Sequence, residues 1–522
     1  MSRRARIAIL AVPIAFLLVF FVFPFVSIVW EGLGTDRSAV ARVLGEARVR
    51  HVIWFTLWQA TVSTALTLVV GLPIAFVVSR FAFRGRAALE ALVVVPFVLP
   101  TVVVGMAFSG LRGSLAAILA AHVFFNVAVV VRVVGAAWAT IDPALEDAAE
   151  ELGASGWRRV TRVLLPLARP AIVTAATLVF LFTFTSFGVI LLLGGPGQST
   201  IEVEIFQRTS QQLDLSAAAV LAMIQLVFVG ALLTVDAVLA SRRPVTSAPV
   251  EPAPRPPRTA GERAFGAVVI LAALALVVLP LWRLVWRSLT GADGLTVANY
   301  LHIGEGRRGG VFEISAGAAI WTSVRSAALA AVIALAIGGL VSIGVALGAR
   351  SRGVWGIVAL PLGVSAVTLG FGYVVAFDRA PMDLRGSPWL VPLAQALVAL
   401  PFVVRIVAPA LAAAQASLGE SAAALGASPW QAIRDVTLPA SAGAIRTAAV
   451  FAFVVALGEF GATAFLARAD RPTVPVAIAR LLGQPGSASI GQASALAVIL
   501  LVVTAGAAIA IGRGRLGSFG RP

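Results

Sequence analysis

The sequence predicts an all-α polytopic membrane protein of about 12 transmembrane helices, laid out as two tandem six-helix repeats. Three observations carry this prediction. The chain of 522 residues is 59% hydrophobic and only 12% charged, about half the charge fraction of an ordinary soluble domain. Twelve stretches are apolar over roughly 20 residues, the length needed to cross the hydrocarbon core of a bilayer. Landmarks in the first six stretches also recur in the second six at a fixed distance along the chain.

The first six stretches fall at 7–30, 52–79, 88–109, 115–140, 171–193 and 217–240. The second six fall at 264–287, 318–348, 353–377, 389–414, 440–466 and 489–512. The first begins with Arg3 and Arg4 and resembles a signal peptide. Its apolar run, Ile7 to Trp30, is longer than a signal sequence needs, and no small-residue cleavage site follows closely, so it reads as an uncleaved span. Between the two sets lies SRRPVTSAPVEPAPRPPRTAGER, Ser241 to Arg263. It is rich in Pro and Arg and has no apolar period, which is a linker composition. The chain therefore divides into a first repeat (1–240), a linker (241–263) and a second repeat (264–522).

The repeats share an offset. Gly153 and Gly426 are 273 residues apart, as are Pro166 and Pro439, Arg132 and Arg405, and the pairs Phe187-Gly188 and Phe460-Gly461. Near the start of each repeat the offset is 267, matching Trp54 with Trp321. Parallel repeats of this kind are a common plan for transporters. Six is even, so both repeats enter the membrane from the same side. The Arg-rich turns at Arg80, Arg84 and Arg86 and at Arg158, Arg159 and Arg162 place that side, both termini and the linker in the cytoplasm of a cell (inner or plasma) membrane protein.

Composition excludes several functions. The net charge of +16 comes from Arg alone, because the chain has no Lys. Arg gathers beside the spans, and no basic, aromatic-studded soluble domain is present, so no nucleic-acid partner is expected. The absence of Cys removes disulfides, thiolate zinc sites and cysteine nucleophiles. The absence of Lys removes the P-loop and the Schiff-base lysine, so any ATP must be bound by another chain. No Ser-His-Asp, paired-carboxylate or HExxH arrangement appears, and the chain is read as a transport subunit and not an enzyme. His122 and Asn126 stand one turn apart, which reads as a helix contact and not as a metal site.

One loop occurs twice. DAAEELGASGWRRVTRVLLP runs from Asp147 to Pro166, and ESAAALGASPWQAIRDVTLP runs from Glu420 to Pro439. Each frame holds an acid followed by two small residues (Asp147-Ala148-Ala149; Glu420-Ser421-Ala422) and, three residues on, a glycine (Gly153; Gly426). Nine residues later each closes on Val-x-Leu-Pro, with Leu165-Pro166 in one and Leu438-Pro439 in the other. The pattern predicts a short helix, a glycine turn at positive φ, a second short helix, and a proline in the first turn of the next span. Such a loop is a rigid elbow held by two spans.

This frame resembles the EAA signature of type I ABC importer permeases, EAA-x3-G-x9-I-x-LP. The first copy departs by Asp147 and Val163, the second by Ser421 and Val436. In that family the loop is a coupling helix seated in a groove of the ATPase subunit. The resemblance therefore implies two copies of an ABC ATPase that carry ATP and Mg, an extracytoplasmic solute-binding protein, and no cofactor in this chain. Ala121 to Arg132, Thr185 to Gln207 and Ala456 to Ile478 resemble the fused, twelve-span permeases for thiamine and ferric iron. The GEFGAT stretch is also similar to single-repeat molybdate and sulfate permeases. The resemblance implies import of a small solute, thiamine first, with ferric iron or a molybdate/sulfate-type anion as alternatives. A secondary transporter would need neither an ATPase nor this frame.

Within the spans, Glu459 is the sharpest candidate. A carboxylate at membrane depth costs several kcal/mol unless paired or wetted. Either it lines the solute path or it bonds a neighbouring helix, with Gly458 and Gly461 permitting close approach. Its match in the first repeat is Ser186. Phe187 and Phe460 suit a hydrophobic gate or plain packing. Arg132 and Arg405 lie near span ends, where Arg snorkels to the interface or pairs with an acid.

Overall fold

The computed structural model describes residues 3–34, 38–154, 156–241, 254–291, 294–301, 303, 316–348, 364–378, 383–484 and 486–518. Almost every described element is a helix. The exceptions are two-residue strands at Thr290–Gly291 and Gly294–Leu295. Spans 1, 2, 4, 5 and 6 are Ile9–Gly34, Ala47–Arg80, Leu115–Ala139, Gly156–Phe184 and Leu215–Ser241. Spans 7, 8, 10 and 12 are Ala260–Ser288, Ala316–Ala346, Leu390–Ala414 and Ser487–Ser518. Of span 9, predicted at 353–377, the helix Ala366–Ala376 is described, and residues 349–363 lie outside the described residues.

Three spans depart from simple helices. Span 3 is two helices, Arg86–Val98 and Thr101–Leu111, meeting at 101°. The cause is Pro100, which forces Leu99 into extended backbone (ψ 141°) and ends the first helix there. Spans 5 and 11 also end earlier than the apolar runs suggest. Span 5 stops at Phe184 and a new short helix starts at Gly188; span 11, Ala442–Gly458, stops just before Glu459. The unwound steps therefore fall at matched repeat positions.

Each repeat is built on three packed helices: spans 2, 4 and 5 in the first, spans 8, 10 and 11 in the second. The same small residue permits the same contact in both. A Cβ on Gly71 would lie 2.7 Å from Val130 Cβ, and one on Gly338 would lie 2.8 Å from Val403 Cγ1. Helices without side-chain bulk between them gain dispersion contacts, which replace the hydrophobic driving force that lipid cannot supply.

The first span of each repeat reaches across to the other repeat. Span 1 packs on span 6 at one end, where Gly32 faces Ala219, and on spans 8 and 9 along the rest. Leu17 and Phe21 share a buried cluster with Ile337, Val341, Tyr373 and Phe377 of the second repeat. Span 7 repeats the arrangement. It packs on span 12 and also on spans 2 and 3, and its Val269 and Ala273 join a first-repeat cluster with Ile74 and Val93.

Candidate functional site

The two elbows have one backbone design. In the first, Pro143–Glu151 is a helix capped by the Asp142 side chain, which accepts from Ala144 N at 2.9 Å. It ends at Gly153 with φ +80°. Gly153 N donates to Glu150 O at 2.9 Å and Ala154 N to Ala149 O at 2.9 Å, a paired closure that a left-handed residue makes possible. In the second, Glu420–Ala424 ends at Gly426 with φ +88°, and Gly426 N and Ala427 N donate to Ala423 O and Ala422 O, each at 3.0 Å. A Cβ at either glycine would meet nothing within 4 Å. The requirement for glycine is therefore conformational and not steric.

The next segment starts at Gly156 in one elbow and at Pro429 in the other, where Ser428 and Gln431 form a capping box. Both then pass through a π turn, Val160–Leu164 and Ala432–Thr437. Pro166 and Pro439 sit in the first turn beyond it, where a missing N–H costs least. Asp147, Ala148, Glu420 and Ser421 are exposed, Ala149 is half-buried and Ala422 is buried. Leu165 and Leu438 are half-buried and pack on the helical core.

The elbows also carry a feature that the repeated frame does not reveal. Leu152 is 89% exposed and its match, Leu425, 90% exposed. Trp157 and its match Trp430 are exposed as well. Each elbow thus presents a leucine and a tryptophan beside its glycine turn. The signal was present in the sequence, since both pairs keep the 273 offset. It was unreadable there, because an apolar residue in a membrane protein is ordinarily assigned to packing.

Ion pairs fix the first elbow to its surroundings. Glu146 binds Arg80, at the end of span 2, and Arg159 at 3.5 Å. Arg159 also reaches Glu150 at 2.9 Å and Glu262 at 3.7 Å. Glu262, at the start of span 7, pairs with Arg255 of the linker at 2.7 Å. Arg255 lies in backbone register with span 2, donating to Arg80 O at 3.1 Å and accepting from Ala82 N at 2.8 Å. The hydrogen bond from Arg255 to Glu262 holds that guanidinium above its ordinary range. The second elbow has a neutral tie, Thr437 Oγ1 to Gln415 Oε1 at 2.8 Å.

At the far ends of spans 5 and 11 the repeats meet. Phe187 and Phe460 stack with centroids 5.2 Å apart and planes at 29°. Phe206 stands edge-on to Phe187 at 5.4 Å and to Phe465 at 5.2 Å. Both stacked rings are buried. Gly458 lets span 11 approach Pro100, and Gly461 lets the chain approach Ala366, with added Cβ atoms only 2.9 and 2.8 Å from those side chains. The aromatic seam is thus a contact between equivalent residues of the two repeats.

The polar residues beside the seam differ. Glu459 is 6% exposed, and its carboxylate accepts from Ala462 N at 2.7 Å and Thr463 N at 3.0 Å. It caps the short turn after the break, as a packing residue would. Ser186 bonds His122 Nε2 at 2.9 Å, and His122 Nδ1 bonds Ser63 at 2.9 Å. This chain of three buried groups holds His122 in a helix contact, and Asn126 adds a bond to His122 O at 3.0 Å. Among the described residues no cluster of His, Asp and Glu could hold a metal ion. Arg132 and Arg405 are exposed, and no ion pair involves them among the described residues, the arrangement of snorkelling side chains.

Two carboxylates that drew no attention in the sequence are fully buried. Glu204 is bound by Arg48 and Arg208, each at 3.0 Å, and Arg208 also holds Glu46 and reaches Asp214 at 3.6 Å. Glu202 lacks such a cation. One of its oxygens accepts from Gln225, while Oε2 has no partner. Glu202 precedes Phe206 by four residues on the helix Ile201–Gln207, so both lie on one face. Ser365, from the second repeat, stands beside it. The aromatic seam, with these buried polar groups beside it, joins the ends of spans 5 and 11 that begin at the two elbows.

Comparison with known proteins adds sequence-level kinship. The model of the family described as "binding-protein-dependent transport system inner membrane component" matches residues 68–239 and 342–513. The chain is 27% identical over 500 residues to a thiamine transport system permease protein of Salmonella typhimurium, covering 90% of each chain. It is 26% identical to the protein of that description from Escherichia coli, covering 91% of each. A probable ABC transporter permease protein of Sinorhizobium fredii is 26% identical, with 89% of each covered. Among solved structures, a bacterial ABC transporter involved in import of the acidic polysaccharide alginate aligns with TM-score 0.39 and 18% identity, over 44% of this chain and 93% of that one.

Proposed function

We propose, from the premise that this chain belongs to the binding-protein-dependent transport system inner membrane components, that it is the two-repeat membrane subunit of an ABC importer for thiamine. The family match occurs twice, once over each repeat, and this supports a chain that needs no second permease. Support for the solute comes from relatives named as thiamine permeases that align along about nine-tenths of both chains. Ferric iron and molybdate/sulfate-type anions are the competing solutes.

In this reading two ATPase subunits, holding ATP and Mg, dock on the two elbows from the cytoplasm, where both termini also lie. The exposed pairs Leu152/Trp157 and Leu425/Trp430 are the anchors, since fully desolvated apolar and aromatic side chains dominate interface energies. Asp147, Ala148, Glu420 and Ser421 form the exposed face beside them, over the half-buried Ala149 and the buried Ala422. A solute-binding protein docks at the opposite end.

The mechanics follow from continuity. Span 5 runs 29 residues from the first elbow to the aromatic seam, about 43 Å at 1.5 Å per residue. Closure of the ATPases moves each elbow as a unit, because its turn is locked by backbone bonds. Span 5 carries Phe187 at its far end. Span 11 carries Phe460, through a 68° bend at Ser441. Moving the elbows therefore separates or rejoins the stacked rings, and a dry aromatic contact blocks a hydrated solute until they separate. When the seam opens, Glu202 offers a carboxylate oxygen to a positively charged solute such as thiamine.

The test is uptake into proteoliposomes holding this chain, its ATPase and its binding protein. ATP-dependent uptake of thiamine is expected, and none of ferric iron or molybdate. Uptake of either of those without thiamine overturns the solute assignment. In the same assay Glu202→Gln should lower thiamine uptake at least tenfold at equal membrane level. Unchanged uptake removes Glu202 from the path.

A further inference from the structure

We propose that the far end of the second repeat carries a binding pocket for the headgroup of an anionic glycerophospholipid, a site separate from the elbows and the seam and independent of which solute is carried. A cavity of about 510 Å³ opens there between the start of span 8, the start of span 10 and the loop after the seam. Three guanidinium groups line it: Arg325, Arg468 and Arg471. The single carboxylate in the lining is Asp470, bonded by Arg468 at 3.1 Å and approached by Arg471 at 3.6 Å. The hydrogen bond from Arg468 keeps Asp470 below its usual range, so it is ionised. Three positive groups and one negative group leave the pocket with a charge of two, positive.

The level and direction of this pocket identify its occupant. About 20 residues of helix cross the hydrocarbon core. Counted back from Ala346, at the elbow end of span 8, that length ends near residue 327. Arg325 and Trp321 therefore stand at headgroup level. Trp321 is 67% exposed, and Trp389, at the start of span 10, is also exposed, as tryptophans of an interfacial belt are. Trp321, Arg325, Ala328 and Val332 lie on one exposed stripe of span 8. That stripe faces lipid, so Arg325 is aimed sideways at the leaflet and not upward at a docked protein. No ion pair or hydrogen bond of Arg325 is found among the described residues. A guanidinium in that position is satisfied by phosphate, which it binds in a forked geometry. Arg471 and Arg468 close over the same space from the loop.

The first repeat has no such pocket chemistry. The matched positions are Trp58 for Arg325, Gly195 for Arg468 and Gln198 for Arg471. The proposal is therefore one lipid per transporter, on one side.

The experiment uses the full transporter with its ATPase, extracted from membranes containing phosphatidylglycerol and analysed by native mass spectrometry during stepwise delipidation. Wild type should retain one phosphatidylglycerol. Arg325→Gln should lower retention about fivefold, and Arg325→Gln with Arg471→Gln further, since each guanidinium near an anionic surface contributes about that factor. Arg325→Lys, which keeps the charge without the fork, should fall between wild type and Arg325→Gln, and ATPase co-purification reports folding of every variant. Equal retention in wild type and Arg325→Gln overturns the proposal. So does displacement of the lipid by millimolar inorganic phosphate, which would mark a site for free anions. Loss of binding-protein affinity in Arg325→Gln with lipid retention unchanged overturns it in favour of an acidic protein surface.

Discussion

The two repeats share a backbone plan and differ in how it is fastened. In the first, charges fasten both ends: Glu146 with Arg80 and Arg159 at the elbow, Glu204 with Arg48 and Arg208 at the far end. At the matched positions of the second stand Gly419 and Ala432, then Ala477 and Leu481. The second repeat instead relies on close packing of small residues and on neutral bonds: Thr437 to Gln415 at the elbow, Gln395 to Ala456 O at 2.9 Å, and Val474 N to Ser323 at 2.7 Å. What the repeats keep in common includes the packing contact of Gly71/Gly338 with Val130/Val403, the elbow residues Gly153/Gly426, Leu152/Leu425 and Trp157/Trp430, and the seam pair Phe187/Phe460. The charged fastenings are not among the shared residues, and the second repeat holds the same elements together with neutral chemistry.

Removing the charged fastening should have the largest effect. Arg80→Leu leaves Glu146 nearly buried with a weaker partner, and a broken buried pair costs about 3 kcal/mol. Thermal denaturation in detergent should show that loss. Gln415→Leu, the neutral counterpart, should cost about 1 kcal/mol or less, because Thr437 keeps its bond to Ala432 O at 3.2 Å. Equal losses from the two substitutions would erase the distinction between the repeats.

The next effect tests what the elbows share. Leu152→Asp and Leu425→Asp should each weaken ATPase association by about 2 kcal/mol, some thirtyfold, if these leucines are interface anchors. Co-purification at graded ATPase concentration measures it. A response from one elbow alone would mean that only that elbow is a docking site.

A smaller effect is expected at the turns. Gly153→Ala and Gly426→Ala meet no neighbour, so only the left-handed backbone is penalised, by about 1–2 kcal/mol. Valine should cost more than alanine, and asparagine, which tolerates this conformation, less. Undiminished ATPase binding and transport in both valine variants would show that the turn geometry does not matter for coupling.

The smallest concerns Glu459. Both carboxylate oxygens accept backbone N–H groups, and an amide can replace only one of them. Glu459→Gln should cost about 1 kcal/mol of stability and leave uptake within about threefold. A tenfold loss of uptake with stability intact would return Glu459 to the solute path.

Much of this architecture was legible from residues near one another in sequence. Apolar run length located the spans, a constant offset located the repeat, and the spacing around Gly153 and Gly426 gave the elbow with its positive φ. What escaped depends on distance along the chain. Nothing in the stretch around Glu146 shows that it meets Arg80, and nothing around Ser186 shows that it meets His122. GEFGAT marked Glu459 as costly but could not reveal that its own following turn satisfies it. Glu202 and Glu204 look alike in IEVEIFQ, yet one is bound by two arginines and the other keeps a free oxygen. Chain order also hid the reach of spans 1 and 7 into the opposite repeat.

That reach sets a timetable for synthesis. Span 1 leaves the ribosome early, but spans 8 and 9, against which most of it packs, begin about 280 residues later. At about 5–20 residues per second, the nascent helix waits roughly 15–60 s for them. During that interval only span 6 can shield it from quality-control proteases. A ribosome that terminates within the linker would release a half whose leading helix is left without most of its contacts. Expressed alone, residues 1–240 should therefore be degraded, and co-expression with residues 264–522 should rescue them, with pulse-chase decay as the readout. Equal lifetimes with and without the second half would show that span 6 suffices as the nursery.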